Sequence, residues 1–171
     1  MRFKDIPKFT RAANYRITVS WRFLQDWIDK HIEDLNLDLN PDFQRNYVWT
    51  EEQKSRYVEY SLRSGLSGHE LYFNCPGWMN TFAGPFVLVD GKQRLSAVLG
   101  FLDNQVEVFD GYLYKDFEDK LGSVEPRFSV NINDLATRKE VLQWYLDLNT
   151  GGTIHTAKEL NKVKKLIQRE K

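Results

Sequence analysis

The sequence predicts a single α+β domain. Its 171 residues suffice for one hydrophobic core, and 42% hydrophobic with 14% aromatic residues is typical of a globular chain. Some segments repeat apolar residues at helical spacing, whereas others alternate as strands do. No internal repeat or linker interrupts them. We expect residues 1–15, which are basic and irregular, to form an N-terminal arm, and residues 16–171 to form the domain.

The first half of the domain predicts two helices and two strands. Ser20 is placed to cap a helix that runs to about Leu35. Thr50 and Gln53 form a capping-box pattern for a second helix, which we expect Gly65 to end. The predicted strands are ELYFN (70–74) and PFVLVD (85–90).

The second half predicts three further helices and two further strands. A helix follows the second strand, with an apolar face made by Leu95, Val98, Leu99 and Leu102. QVEVF (105–109) alternates as a strand does, and so does the segment holding Phe128, Val130 and Ile132. Capping patterns at Thr137 with Glu140, and at Thr156 with Glu159, open the last two helices, the second with Leu160, Val163, Leu166 and Ile167 inward.

Charge and composition exclude several classes of protein. With 24 basic and 24 acidic residues the formal net charge is zero, so we do not expect a protein that coats DNA. Any DNA contact must come from a local patch or through a protein partner. A single cysteine and three scattered histidines give no metal-ligand spacing. No apolar stretch approaches a membrane span, so a cytoplasmic protein with no membrane partner is expected.

The stretch VLVDGKQRLSAVLGFL (87–102) places two cations where a strand passes into a helix. One interpretation is structural: Asp90 and Gln93 form a capping box, and Gly91 makes the tight turn. The other is an anion site. Cations in the first turn of a helix cost about 0.3–1 kcal/mol each, because that end of the helix dipole is already positive. Lys92 and Arg94 would then converge with free N–H groups on a phosphate, and both interpretations stay open.

Two further clusters allow similar pairs of interpretations. In NPDFQRNYVW (40–49), Arg45 is either a second phosphate ligand or an ion-pair partner. Tyr47 and Trp49 either stack on a base or fill the core. NTGGT (149–153) is either a helix end with a sharp turn or a place where backbone approaches a ligand closely.

Together these three clusters resemble the bacterial and phage DGQQR-motif family, the N-terminal domain of GmrSD-type modification-dependent restriction enzymes. The matching stretches are PDFQRNYVW, VLVDGKQRLSAVLGFL and LNTGGTIHTAKEL, which span about residues 40–160. The resemblance implies a ParB/sulfiredoxin-like fold with a small mixed sheet flanked by several helices. It also implies a nucleotide-handling domain that acts on foreign or modified DNA.

The resemblance assigns roles to residues of each motif. The phosphate-side motif would be Asp90, Gly91, Gln93 and Arg94, with Asp90 orienting a water or a Mg²⁺ ion and Arg94 neutralising phosphoryl charge. The expected catalytic residues are therefore Asp90, Gln93 and Arg94. The expected ligands of a nucleoside triphosphate of unknown base are Gln44, Arg45, Tyr47, Gly91, Lys92, Asn149, Gly151, Gly152 and Thr153.

Two departures from the family pattern shape the functional prediction. Lys92 stands where the family has glutamine, which either adds a phosphate contact or disturbs catalysis. Full-length relatives commonly carry an HNH-type nuclease domain, and this sequence has no His/Asn/His constellation, so we expect no nuclease activity from it alone. The leading hypothesis is a nucleotide-binding, NTP-hydrolysing domain linked to phage–host DNA restriction or its evasion. The alternatives are a non-catalytic decoy or inhibitor of a restriction complex and a ParB-like DNA-binding protein.

Overall fold

The computed structural model describes residues 15–78, 81–82, 84–119, 121–123, 126–149 and 157–170. In these ranges it contains four strands and five α-helices, together with short 3₁₀ turns at Trp21–Phe23, Tyr114–Asp116 and Leu121–Ser123. The elements in chain order are β1 (Tyr15–Ser20), α1 (Leu24–Leu35), α2 (Glu51–Leu62), β2 (Glu70–Asn74), β3 (Val87–Asp90), α3 (Lys92–Leu102), β4 (Arg127–Asn133), α4 (Arg138–Asn149) and α5 (Ala157–Arg169).

The four strands form one mixed sheet in the order β1-β4-β2-β3. β4 pairs antiparallel with β1 and parallel with β2, and β2 pairs antiparallel with β3. The pairing of β2 with β3 shifts register between Tyr72 and Phe73, close to the residue at which β3 ends. The predicted α+β domain with a small mixed sheet is therefore confirmed.

Helices cover both faces of the sheet because its side chains alternate between two cores. Leu71 and Leu88 enter a core that also takes side chains of α1, α2 and α3. Val89, the neighbour of Leu88, enters a second core formed with α4 and α5, which includes Trp144 and Val163. Leu160, Leu166 and Ile167 pack on this second core, as their spacing predicts.

Two of the predicted capping patterns, at Thr50 and Thr137, are confirmed. Thr50 Oγ1 accepts a hydrogen bond from Gln53 N, and Gln53 Oε1 accepts one from Thr50 N, completing the expected box. Thr137 and Glu140 exchange equivalent bonds at the start of α4. The predicted box of Thr156 and Glu159 includes Thr156, which lies outside the described residues.

Several element types and boundaries differ from those predicted. The segment 105–109 is not a strand: Gln105 N donates to Gly100 O, and Val108 forms an isolated bridge with Tyr112. Its alternation reflects burial of Val106 and Val108 beneath a turn. Residues 15–20 form an edge strand that the sequence analysis missed, and the helix expected from Ser20 begins as a 3₁₀ turn.

The second helix also ends earlier than Gly65, since α2 stops at Leu62. Within the described ranges, no helix is long and apolar enough to cross a membrane.

Candidate functional site

The start of α3 borders a cavity of about 250 Å³. The cavity lies where β3 ends, between the segment 44–49 and the end of α4. It is lined by Gln44, Arg45, Trp49, Val89, Asp90, Gly91, Lys92, Gln93, Arg94, Tyr145, Leu148 and Asn149. The structure thus brings residues of all three sequence clusters, separated by more than 100 positions, to one place.

Gly91 makes the turn between β3 and α3 and leaves the helix without a side-chain cap. Its φ of 103° lies in the left-handed region, and a Cβ there would lie 2.4 Å from Leu71 Cδ2. Leu95 N makes the first helical bond, to Gly91 O at 2.9 Å. Asp90 and Gln93 do not form the capping box that the structural interpretation requires. The N–H groups of the first turn therefore face the cavity without a partner among the described residues.

Arg94 is fixed by contacts to the sheet. Its Nη2 donates to Asp90 Oδ2 and to Glu70 O, each at 2.9 Å. Its Nε is buried and has no hydrogen-bond partner in the described part of the chain. Both side chains remain partly exposed, Arg94 at 24% and Asp90 at 31%. The ion pair holds the Asp90 carboxylate through Oδ2 beside the helix terminus, where Asp90 lines the cavity.

Gln93 holds the segment 46–49 against α3. Its Oε1 accepts hydrogen bonds from Val48 N at 3.0 Å and Trp49 N at 3.2 Å. Its Nε2 donates to Asn46 O at 3.1 Å. One side-chain amide thus satisfies three backbone groups of an irregular segment, so its observed contacts are those of a positioning residue.

Lys92 also binds this segment. Its Nζ donates to Arg45 O at 3.2 Å and lies 4.6 Å from the centre of the Tyr47 ring, a cation–π distance. Burial lowers the pKa of Lys92, and the charge of Asp38 opposes that shift. Two further N–H donors remain on the ammonium group for a ligand.

Gln44 and Arg45 have different surroundings although they are adjacent. Gln44 is buried, and its Nε2 donates to Leu88 O at 2.5 Å, which attaches the segment to β3. The Arg45 guanidinium makes no hydrogen bond or ion pair to any residue that the structure describes. It is the lining cation with the fewest competing contacts, so its charge is available to an anion.

The aromatic residues of the second cluster separate into three environments. Phe43 is buried in the core beneath α4, where its ring lies 5.3 Å from that of Tyr145. Trp49 lines the cavity and is half-buried against Tyr57. Tyr47 is 52% exposed, donates from its hydroxyl to Asn40 Oδ1, and lines a neighbouring cavity instead.

The end of α4 closes the cavity on its other side. Asn149 is anchored through a 2.6 Å bond from its Nδ2 to Tyr145 O. Tyr145 and Leu148 line the cavity, although their helical periodicity predicts only core packing. No sequence signal distinguishes a core position from a cavity wall here. Gly151, Gly152 and Thr153 lie outside the described residues.

The electrostatic character of the cavity is cationic. Arg45, Lys92 and Arg94 surround it, and Asp90 is the carboxylate among its described lining residues. The described ranges hold no group of three His, Cys, Asp or Glu side chains suited to a metal. A Mg²⁺ ion at Asp90 would therefore need phosphate oxygens and waters as its other ligands, which is how Mg²⁺ commonly binds with nucleotides.

Comparison with known proteins gives one match. Residues 24–167 match the model of the family described as "GmrSD restriction endonuclease, N-terminal domain". No curated protein and no solved structure matches the chain significantly. The family match covers most of the chain and includes every element from α1 to the last turns of α5. This chain therefore belongs to the GmrSD restriction endonuclease N-terminal domain family.

Proposed function

We propose that this domain binds a nucleoside triphosphate with its phosphates at the start of α3. The observation that carries the proposal is the helix terminus at Gly91, which has no side-chain cap, with Arg45 beside it, whose guanidinium bonds to no residue that the structure describes. Backbone N–H groups, the helix dipole and a guanidinium all favour the same ligand, an anion with several oxygens. Lys92 supplies a further donor to the same space.

Hydrolysis of that nucleotide is the second part of the proposal. The partly exposed Asp90 carboxylate lines the cavity and is suited to orient a water molecule toward the terminal phosphate. Arg45 and Arg94 would stabilise charge that develops on the phosphoryl oxygens. A Mg²⁺ ion bound between Asp90 and the nucleotide would neutralise further charge on the phosphates.

The family description links the domain to DNA restriction. We propose that nucleotide binding serves recognition or restriction of foreign DNA, or its evasion, with DNA contacted directly or through a protein partner.

Isothermal titration calorimetry with ATP, GTP, CTP and UTP in the presence of Mg²⁺ tests the binding proposal. We expect Arg45→Ala to weaken binding about 10- to 100-fold, since a hydrogen bond to a charged group contributes about 1.5–3 kcal/mol. The control is Arg56→Ala, because Arg56 lies on the exposed face of α2 in a surface pair with Glu52. Absence of binding by every nucleotide at millimolar concentration would refute the proposal, as would unchanged affinity in Arg45→Ala.

Phosphate release tests hydrolysis separately. We expect Asp90→Asn to retain nucleotide affinity and to lose turnover, because the amide keeps the shape of the carboxylate but not its charge. Unchanged turnover in Asp90→Asn would exclude Asp90 from the reaction.

One observation favours a second candidate, a nucleotide-binding interaction module without turnover. Gln93 and Lys92 both direct their polar atoms at the segment 45–49, which leaves Asp90 as the main candidate for chemistry in the described lining. Tight binding without phosphate release by the wild-type protein, together with capture of a restriction complex in a pull-down, would select this function.

A further inference from the structure

A second cavity, of about 370 Å³, adjoins the first along α3. Lys92 lines both cavities. The second cavity is lined by Leu39, Tyr47, Glu51, Lys54, Leu88, Lys92, Leu95, Ser96, Leu99, Gly100, Asp103, Gln105 and Val106. Of the residues expected to bind the nucleotide, Tyr47 and Lys92 line this second cavity.

One face of α3 runs along this cavity and changes character from end to end. Lys92, Ser96, Leu99 and Asp103 follow one another at helical spacing, so they lie in one stripe. The stripe spans about 16 Å at a rise of ~1.5 Å per residue. It presents in turn an ammonium group, a hydroxyl, an apolar side chain and a carboxylate. These four groups match, in the same order, the phosphate, the ribose, the face of the base and the edge of the base in a nucleotide.

The floor of the cavity is apolar and firmly packed. Leu88, Leu95 and Val106 are buried within the core and expose only a small surface to the cavity. Gly100 adds no side chain, and a Cβ there would approach Val106 Cγ2 to 3.0 Å. An apolar floor with a bare backbone position suits the flat face of a base.

Asp103 supplies a further charge on the rim of the second cavity. The other two charged rim residues away from Lys92, Glu51 and Lys54, bind each other at 2.7 Å. The Asp103 carboxylate makes no hydrogen bond or ion pair to a residue in the described ranges. An ionised carboxylate only accepts hydrogen bonds, and two oxygens side by side match two adjacent donors. Guanine presents such a pair, N1–H and the 2-amino group, whereas adenine places an acceptor next to its amino group.

Cavity size supports a division of the ligand between the two spaces. Small-molecule sites usually occupy about 300–1,000 Å³. The first cavity, at about 250 Å³, is small for a whole nucleotide but suits phosphates, and the second supplies the missing volume.

Building on the proposed function, we propose that the second cavity holds the nucleoside of a guanine nucleotide whose phosphates lie at the start of α3. The base lies over Leu95 and Leu99, Ser96 faces the ribose, and Asp103 accepts from the base edge. Lys92 contacts the phosphate that joins the two halves.

The test compares inorganic tripolyphosphate, GTP, ITP and ATP by isothermal titration calorimetry. Tripolyphosphate reports on the first cavity alone, because it carries no nucleoside. We expect GTP to bind about 5- to 150-fold tighter than ATP, the range for one bidentate base contact. The affinity for ITP, which lacks the 2-amino group, should lie between those for GTP and ATP. Asp103→Asn should remove the preference for GTP and leave tripolyphosphate affinity unchanged. Asp26→Asn, an exposed carboxylate of α1 that lines neither cavity, is the matched control.

The outcomes separate the two proposals. Binding of tripolyphosphate with equal affinities for GTP and ATP, and no effect of Asp103→Asn, would overturn the guanine assignment and leave the phosphate site standing. Failure of tripolyphosphate and of all nucleotides to bind would refute both. A second variant, Ser96→Trp, fills the cavity from its polar side and should weaken GTP but not tripolyphosphate; equal GTP binding in this variant would exclude the second cavity as the nucleoside site.

Discussion

Replacing Gln93 by alanine tests whether this motif residue is a structural support for the site. The wild-type amide bonds to three backbone groups of the segment 46–49, at Asn46, Val48 and Trp49. Gln93→Ala removes all three bonds and leaves Trp49 N, which is partly buried, without its partner. We expect the segment to detach from α3 and the free energy of unfolding to fall.

The magnitude follows from the number and exposure of these bonds. Three hydrogen bonds at about 0.5–1.5 kcal/mol each set a ceiling near 4.5 kcal/mol. Two of the three are exposed, so water replaces them at little cost, and the expected loss is about 1–2 kcal/mol. At a urea m-value of about 2 kcal/mol/M, the unfolding midpoint should fall by about 0.5–1 M.

Urea unfolding followed by tryptophan fluorescence is the assay, with Gln143→Ala as the control. Gln143 is also a helical glutamine, but it makes one exposed bond to Asp147, four residues along α4. The change in helix propensity is common to both variants, and the control should lose only about 0.2–0.5 kcal/mol. Equal stability of the two variants would refute the supporting role of Gln93.

Three further changes have defined outcomes. Gly91→Ala should lower the free energy of unfolding by about 2–5 kcal/mol, because alanine would have to adopt a left-handed φ and its Cβ would overlap Leu71. Urea unfolding measures this loss, and a loss below about 1 kcal/mol would contradict the strain at this turn. Thr50→Ala should cost about 1 kcal/mol through loss of the α2 cap, seen as a lower thermal midpoint, and an unchanged midpoint would count against it. Burial raises the pKa of Tyr57, so the phenol loses its proton at lower pH in the unfolded chain than in the folded one. The free energy of unfolding of the wild type should therefore fall as the pH rises above 10, by up to about 1.4 kcal/mol per pH unit. In urea titrations across this range, the free energy of unfolding of Tyr57→Phe should fall less. Parallel pH profiles of the two proteins would contradict the buried phenol.

The contacts of Lys92 explain how the site accommodates a lysine where the family has glutamine. Lys92 and Gln93 both bind the segment 45–49, and together they attach the carbonyl groups of Arg45 and Asn46 to the first turn of α3. Lys92 donates one hydrogen bond to the Arg45 carbonyl and keeps further N–H donors on its ammonium group. A lysine at this position can therefore both hold the segment 45–49 and contact a ligand. We expect Lys92→Gln to preserve the fold and to weaken nucleotide binding, as measured by calorimetry; tighter binding in that variant would show that Lys92 opposes the ligand.

Signals that act over a few residues were readable from the sequence. The boxes at Thr50 and Thr137 involve a side chain and a backbone group three positions apart, so the sequence alone places them. ELYFN is strand β2, and the apolar face of 95–102 packs as expected. The strand predicted at 105–109 from alternating apolar residues was wrong. A half-buried turn and a strand can bury the same alternate residues, and only pairing with a neighbouring strand distinguishes the two structures.

The sequence also determined the family and the identity of the charged residues at the site. What only the tertiary structure decided is how each of them is used. Whether Asp90 and Gln93 cap the helix depends on the segment 46–49, which is distant in sequence but competes for the same amide. Arg94 is held by Glu70 O of β2 as well as by Asp90, whereas the Arg45 guanidinium bonds to no residue in the described ranges, and neither fact can be inferred from local spacing. The second cavity arises in the same way: local sequence sets the stripe on α3, whereas packing of distant segments leaves the space beside it.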